Sequence, residues 1–330
     1  MKINLITAFT VLAFLLVSCG QNQKSGSTQS KKTKEFVKAP DFNSDSAYYF
    51  IEKQLLFGPR VPGTTSHAEC ALWLANMLNS YSDTVIIQAF KARTYDGVTR
   101  NGKNIVASFK LENKNRILLM AHWDSRPFAD HDSDKTMHNI PIDGANDGAS
   151  GVGLLIEMAR QFSLKSPEIG VDIVLFDMED WGPPTQLELN ETEAWGLGSQ
   201  YWSRNPHIYG YAARYGILLD MVGVKNPIFP REYFSQQYAG FVMDIVWGYA
   251  DDLGYGDYFV NHQGGATTDD HYFVNTIANI PSIDIIHLDR STSNNSFFEH
   301  WHTSDDNLES IDKSTLKMVG NVVMTVVYNE

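Results

Sequence analysis

The stretch that decides the fold of this chain is VDIVLF at residues 171–176, which runs directly into Asp177-Met178-Glu179-Asp180. An almost wholly apolar run of this length is typical of a strand that is covered on both faces. Three other strand-like runs also finish on a histidine or an acidic residue: residues 116–121 before His122, 215–219 before Asp220, and 281–286 before His287. Open α/β sheets place their functional sites at the carboxyl edge of the strands. The sequence therefore predicts that these polar side chains converge at one sheet edge.

The segments around these runs indicate the rest of the fold. Apolar residues at helical spacing predict helices, and alternating or β-branched stretches predict two more strands. The strand at 116–121 follows them closely, so we expect these three strands to be neighbours in one sheet. The predicted helices are residues 45–57, 66–78, 150–162, 234–253 and 314–328, and the added strands are 84–92 and 103–111. Strands that alternate with helices favour a single α/β domain with a mixed, mostly parallel sheet and helices on both faces. Residues 181–193 form a long acidic loop that we expect to lie over the site.

The amino terminus has the layout of an export signal. Lys2 precedes an apolar run at residues 5–17 that is too short to span a bilayer. Leu16-Val17-Ser18-Cys19 resembles a bacterial lipoprotein cleavage box, although an ordinary signal peptide with a chance cysteine is the alternative. We predict a signal peptide at 1–18, a flexible tether at 19–40 and a catalytic domain at 41–330. The expected location is the cell envelope, where a lipid on Cys19 holds the chain to a membrane facing the periplasm or the cell surface.

Composition and missing motifs exclude several classes of function. Cys19 and Cys70 are the only cysteines, so lipidation of Cys19 leaves no intrachain disulfide. The net charge is −13 and no basic stripe is present, which argues against a nucleic-acid partner. The sequence also lacks Gly-x-Ser-x-Gly, Walker and His-Glu-x-x-His motifs. Serine-hydrolase, nucleotide-binding and zincin functions therefore have no support.

Carboxylates and imidazoles form a candidate metal site. Asp147 lies in a glycine-flanked turn before a helix, where it either points into a cleft or caps the helix. Glu179 and Asp180 are adjacent, which is costly at a buried strand end unless a cation lies nearby. One of them can then bind the metal while the other acts as a general base. Carboxylate and imidazole without thiolate is a ligand set suited to zinc.

Histidines at two other places are further ligand candidates. His302 follows Trp301, and His300 is a rival that spacing alone does not reject. His122 ends a strand, and Asp124 could orient it from outside the metal's ligand sphere. Asp220 ends another strand, and Asp269 belongs to the tight cluster Asp269-Asp270-His271. Asp220 and Asp269 either join a shared-proton network with the base or serve as structural groups such as helix caps.

As a set, these residues resemble the zinc-dependent aminopeptidase and glutaminyl cyclase superfamily, from about Phe57 to the carboxyl terminus. The shared features are His122-x-Asp124, residues 144–151, Glu179-Asp180, Asp220 and Trp301-His302-Thr303. Within the superfamily the chain is more similar to the glutaminyl-peptide cyclotransferases. The discriminating stretches are residues 57–63, 218–230, 269–271 and 301–307.

The resemblance implies a chemistry and a set of roles. Asp147, Asp180 and His302 would hold one zinc ion, and Glu179 would be the general acid and base. Asp220 and Asp269 would join its hydrogen-bond network. Trp301 would line the substrate pocket with Trp195, Trp181 and His271, although Trp181 and Trp195 are equally explained by packing. The implied reaction converts the amino-terminal glutamine of a peptide to pyroglutamate and releases ammonia.

Two features separate this chain from the animal cyclases. It has Glu179-Asp180 where the cyclases often have Glu-Glu, and it cannot form the disulfide that the animal enzymes use. It therefore resembles the bacterial branch. Two alternatives stay open: a two-zinc aminopeptidase, in which His122 and Asp220 complete a second site bridged by Asp147, and an anchored binding protein that has lost catalysis.

Overall fold

The computed structural model describes residues 37–187, 189 and 192–330. The predicted signal peptide, the lipidation site Cys19 and nearly all of the tether lie outside the described residues, so these remain predictions. Residues from Val37 to Glu330 form one compact unit. Within that part of the chain, none of the helices combines the length and the apolar character needed to cross a membrane.

A six-stranded mixed sheet forms the centre of the molecule. Its strands are β1 (Thr84–Arg93), β2 (Thr99–Phe109), β3 (Arg116–His122), β4 (Gly170–Phe176), β5 (Gly216–Asp220) and β8 (Ser282–Ile286), while β6 (Phe229–Arg231) and β7 (Phe259–Gln263) form a separate pair. The order in the sheet is β1-β2-β4-β3-β5-β8, with parallel pairing from β4 to β8 and antiparallel pairing on the β1 side. The predicted mixed, mostly parallel sheet is confirmed.

One predicted neighbour relation is wrong. Strands β1, β2 and β3 follow each other in the sequence, but β4 lies between β2 and β3. A parallel strand needs a crossover connection, and the chain from β3 crosses over one face before it returns as β4. Because β4 is apolar on both faces, the interior of the sheet is the position that buries it fully.

Helices cover both faces of the sheet. They are α1 (Ser44–Leu55), α2 (Thr65–Asn79), α3 (Ala149–Leu164), α4 (Leu197–Arg204), α5 (Tyr233–Asp252), the short α6 (Asp270–Phe273) and α7 (Lys313–Tyr328). Alternate residues of each strand enter different cores, since Leu119 packs in the large core with α1, α3 and α7 while Leu118 and Met120 pack with Trp202 of α4. This alternation is the period of two that strand geometry imposes. The helices α4 and α6 and the β6–β7 pair were not predicted, because they are too short to show a clear period.

Asp172 is the one polar residue in the stretch that decides the fold. It lies fully buried in β4, where Arg116 Nη2 donates to Oδ1 over 2.8 Å and Tyr211 Oη donates to Oδ2 over 2.7 Å. These donors compensate the burial of the charge. The strand therefore keeps its central position despite a carboxylate within it.

Candidate active site

The carboxyl edge of the parallel strands opens into a cavity of about 350 Å³. Eight of the residues that the sequence singled out contribute to its wall: Asp147, Glu179, Asp180, Trp195, Asp220, Asp269, Trp301 and His302. Thr185 and Thr192 of the loop after β4 also line it, so the described part of that loop lies at the site as expected. The predicted convergence at one sheet edge is found for the ends of three strands. His287, which follows the fourth run, is not among the described residues that line this cavity, and its Nδ1 accepts from Ile228 N over 2.8 Å.

Asp147, Asp180 and His302 form a three-residue donor group in this cavity. Each offers one ligand atom, and these atoms lie within 4.8 Å of one another. His302 Nε2 is 3.2 Å from Asp180 Oδ1 and 3.7 Å from Asp147 Oδ2. All three side chains are buried, and Asp180 Oδ2 has no hydrogen-bond partner among the described residues. Two carboxylates and an imidazole at this spacing fit the nitrogen and oxygen ligands of zinc.

The charges in the cavity also favour a bound cation. Burial raises the pKa of Asp180, and the nearby charge of Asp147 raises it further. Burial likewise raises the pKa of Glu179 well above its ordinary value, with the charge of Asp269 adding to the shift. Buried carboxylates of like charge are costly to ionise together. A divalent cation between Asp147 and Asp180 would offset that cost.

Glycines place Asp147. Gly144 has φ +59°, and a Cβ on Gly148 would lie 2.4 Å from His122 Nε2, so both positions require the small residue. The structure does not use Asp147 as a helix cap, because α3 begins at Ala149 and its N-cap residue is Gly148, with no side-chain cap bond. Asp306 instead accepts hydrogen bonds from the backbone nitrogens of Asn146 and Asp147, over 2.8 and 3.1 Å. The Asp147 carboxylate therefore faces the cavity and His122, whose Nε2 lies 3.0 Å from Oδ1.

The structure favours His302 over His300 as the ligand. The His302 side chain is 3 % exposed, whereas that of His300 is 45 % exposed and lies 3.9 Å from Asp305. His302 has φ +57°, a conformation that costs energy for a residue with a Cβ and is often retained at functional sites. Its Nδ1 is 3.5 Å from Asp130 Oδ1 and has no hydrogen-bond partner among the described residues, while its Nε2 faces Asp147 and Asp180.

Arg126 holds this side of the site together. It is fully buried and binds Asp130 with two nitrogens, Nε to Oδ1 over 2.7 Å and Nη2 to Oδ2 over 2.8 Å. Its Nη1 donates to the backbone oxygen of Asp180 over 3.1 Å, and its guanidinium lies 5.0 Å from the ring centre of Trp195. Arg126, Asp130 and Asp306 were all missed in the sequence, where nothing in their spacing marks them as partners of the ligands.

Glu179 is positioned beside the donor group by its backbone. Asp124 accepts hydrogen bonds from the nitrogens of Glu179 and Asp180, over 3.1 and 3.3 Å. We expected Asp124 to orient His122, but His122 Nδ1 is 3.6 Å away and has no hydrogen-bond partner in the described part of the chain. Asp124 therefore acts mainly on the backbone of the acidic pair, because that pair lies on the neighbouring strand end.

His122, Asp147 and Asp220 make up a second donor group. His122 Nε2 lies 3.0 Å from Asp147 Oδ1 and 3.3 Å from Asp220 Oδ1. Burial raises the pKa of Asp220 to about 7, although its hydrogen bond with His122 opposes this shift. The structure thus brings together the residues that a second metal would need.

Two of the three candidate tryptophans line the cavity, and the third packs elsewhere in the protein. Trp301 and Trp195 line the cavity, and the Trp301 ring stacks on His302 with 3.7 Å between ring centres. Trp181 is buried outside the cavity wall, with the Arg100 guanidinium 4.2 Å from its ring centre. The geometry thus favours packing for Trp181.

His271 does not reach the cavity and is therefore not placed to contact a substrate. It is fully buried, it is not one of the described residues that line the cavity, and its Nε2 lies 3.1 Å from Glu232 Oε2. Asp269 lines the cavity and also caps α6 by accepting from the nitrogen of Asp270. Because α6 turns at this cap, His271 points into the interior while Asp269 stays in the wall.

Comparison with known proteins places the chain in a family. The sequence pattern of peptidase family M28 matches residues 104–327. The glutaminyl-peptide cyclotransferase of Bos taurus is 27 % identical over 274 residues, which cover 73 % of this chain and 69 % of that protein.

Solved structures are more similar. Bacteroides thetaiotaomicron glutaminyl cyclase is 48 % identical with a TM-score of 0.86, covering 89 % of this chain and 100 % of that one. A Zn-dependent exopeptidase from Parabacteroides distasonis is 49 % identical with a TM-score of 0.87 and the same coverage. These relatives support zinc as the metal of the site. The chain therefore belongs to peptidase family M28, and it is an enzyme of the branch that contains the bacterial glutaminyl cyclases.

Proposed function

We propose that this enzyme converts the amino-terminal glutamine of peptides to pyroglutamate with release of ammonia, using one zinc ion. The observation that carries the proposal is the position of Glu179, a buried carboxyl group that lines the same cavity as the Asp147, Asp180 and His302 donors. The cyclases among its relatives support the same reaction.

The reaction needs proton transfer more than it needs a nucleophile from the protein. The substrate's own α-amine attacks its γ-carbonyl carbon, forming the ring C–N bond. A zinc ion held by Asp147, Asp180 and His302 would supply a Lewis acid for the γ-carbonyl oxygen. Glu179 takes a proton from the attacking amine and delivers it to the departing ammonia when the old C–N bond breaks. The raised pKa of Glu179 suits a group that must both accept and return a proton.

The reaction also requires a cavity whose shape holds the substrate side chain in its folded conformation. Ring closure is already intramolecular, so the enzyme gains most by holding the side chain folded back on the amine. Trp301 and Trp195 present flat apolar surfaces to a small side chain in this cavity. Trp301 also packs on the ligand His302, which sets the substrate next to the donor group.

Incubation of the purified protein with a Gln-initiated dipeptide tests the proposal. We expect mass spectrometry to show loss of one ammonia from the intact dipeptide. The same dipeptide with an acetylated α-amine should be unchanged, because its nucleophile is blocked. Release of a free amino acid in place of ammonia would contradict the proposal.

The second candidate function is a two-zinc aminopeptidase. The group His122, Asp147 and Asp220 favours it, since Asp147 faces both donor groups. Two solved relatives are described as a Zn-dependent exopeptidase and a leucine aminopeptidase precursor, at 49 % and 48 % identity. Two zinc ions per chain together with free amino acid products would establish this function instead. The third alternative, a binding protein without catalysis, conflicts with the intact Glu179, and product formation would reject it.

We further propose that the enzyme is held at the cell envelope by a lipid on Cys19. The support is the sequence Leu16-Val17-Ser18-Cys19 after an apolar run. We expect a radiolabelled fatty acid to be incorporated into the wild-type protein but not into Cys19→Ala, with Cys70→Ala as the matched control that keeps the label. Incorporation of the label into Cys19→Ala would contradict a lipid on Cys19.

A further inference from the structure

A chain of titratable side chains continues from the cavity into the protein behind Asp269. Asp284 comes from the middle of β8, His271 from the first turn of α6, and Glu232 from the residue before α5. Their side chains are fully buried. Asp269, His271 and Asp284 each offer one polar atom within 4.8 Å of the others. The cyclisation chemistry proposed above does not use His271, Asp284 or Glu232.

Glu232, at the inner end, is built to carry a negative charge. It accepts from Ser235 N over 2.6 Å, Ser235 Oγ over 2.7 Å, Phe234 N over 3.0 Å and Thr267 N over 3.0 Å. Its Oε2 also faces His271 Nε2 at 3.1 Å. Such donors stabilise a buried carboxylate. Although burial opposes it, this bonding lowers the pKa of Glu232 to about 2.

Asp284 is equally buried and has the opposite surroundings. Neither of its oxygens accepts a bond from an N–H or hydroxyl group of the described residues, and the one nearby ring nitrogen, His271 Nδ1, is 3.8 Å from Oδ2. The charged groups that face it are the carboxyls of Asp269, Asp220 and Glu232. An ionised carboxylate without donors in such a place is very costly, so the neutral acid is favoured.

Asp269 also has a carboxyl oxygen that lacks a hydrogen-bond donor. One of its oxygens accepts from the nitrogen of Asp270, while Oδ2 has no N–H or hydroxyl donor in the described structure. Asp269 and Asp284 each present a carboxyl oxygen, and these oxygens lie within 4.8 Å of each other. Two buried carboxyl groups this close are costly to ionise together, so one proton shared between them is favoured. The backbone N–H at Asp269 holds the charge there and leaves the proton on Asp284.

We propose that Asp284 is a neutral carboxylic acid that donates its O–H to Asp269 and thereby positions the Asp269 carboxylate next to Glu179. The positioning role of Asp284 depends on the cyclase function proposed above. The protonation state of Asp284 does not depend on that function. His271 and the ionised Glu232 close the inner end of the chain. Burial and then the charge of Asp269 raise the pKa of Asp284 well above its ordinary value, in agreement with this assignment.

Three variants distinguish whether the Asp284 side chain acts by donating a proton, by its charge or by packing. Asp284→Asn keeps the volume and a donor, Asp284→Val removes the donor at a strand-compatible size, and Ser282→Ala is a control on the same strand and the same face. We expect kcat within about threefold of wild type for Asp284→Asn but lower by about tenfold or more for Asp284→Val, with KM and zinc content unchanged. Ser282→Ala should match wild type.

Infrared spectroscopy tests the proton itself, independently of activity and of tolerance to Asp284→Val. The difference spectrum of wild type minus Asp284→Asn should contain the C=O stretch of one neutral carboxylic acid. A carboxylate band there would overturn the proposal even if the protein proves to be an aminopeptidase. Equal loss of kcat in Asp284→Asn and Asp284→Val would overturn the donor role. A metal ion present in wild type and lost in Asp284→Asn would also overturn it, because a cation would then neutralise the cluster.

Discussion

Replacing Glu179 with glutamine is expected to lower kcat by about 10²- to 10⁴-fold, the range typical of a lost general acid or base. The amide keeps the size of the side chain but cannot take the proton from the attacking amine. Asp124 binds the backbone of Glu179 and Asp180, so the turn should stay in place in the variant. Zinc content should therefore remain at one ion per chain.

The measurement is steady-state turnover of a Gln-initiated dipeptide together with metal analysis of the same samples. Glu193→Gln is the matched control, since Glu193 is exposed on the loop at the cavity and is not among the described residues that line it. It should retain wild-type kcat. Loss of zinc in Glu179→Gln would mean that Glu179 is the ligand and Asp180 the base, which would exchange their roles.

Removal of the imidazole of His302 is expected to weaken zinc binding by at least about 100-fold, because loss of partners outside the ligand sphere alone costs 10- to 100-fold. His302 Nε2 is one of only three protein donors in its group. Activity of His302→Ala should fall with metal occupancy. His300→Ala should bind zinc as wild type does, because the His300 side chain is 45 % exposed and belongs to none of the donor groups found among the described residues.

Competition with a chromophoric chelator, followed by metal analysis, distinguishes the two histidines. Wild type treated with a strong chelator should lose activity and regain it when zinc is restored. The reverse ranking, with His300→Ala losing zinc, would move the ligand to His300. An enzyme that stays active after complete metal removal would contradict the metal-dependent mechanism.

The position of the site at the carboxyl edge of the sheet was predictable, because the apolar pattern of the strands and the polar residues that follow them indicate the same edge. The run at 171–176 is apolar on both sides, so it has to be internal, and the acidic residues that follow it are placed at the carboxyl edge. The same reasoning located Asp220 at the end of β5. The resemblance to a known superfamily then supplied the grouping of Asp147, Asp180 and His302, which lie far apart in the sequence.

The supporting residues were not predictable, because their roles exist only in the folded chain. Asp306 binds the turn that holds Asp147, and Asp130 faces His302, yet neither contact follows from local pattern. His271 shows the opposite failure. Its neighbour Asp269 belongs in the wall, and only the direction of helix α6 turns His271 away from the cavity. The order of β4 and β3 was missed for the same reason, since it depends on a crossover.

The three donors of the metal group arrive from distant parts of the chain, after β3, after β4 and after β8. An ion bound by all three would act as a cross-link between segments that in the unfolded polypeptide are separated by long loops. Ligand binding that requires the native arrangement stabilises the native state in proportion to ligand concentration. The availability of zinc would thus govern both the catalytic competence of this enzyme and how long each molecule survives proteolysis.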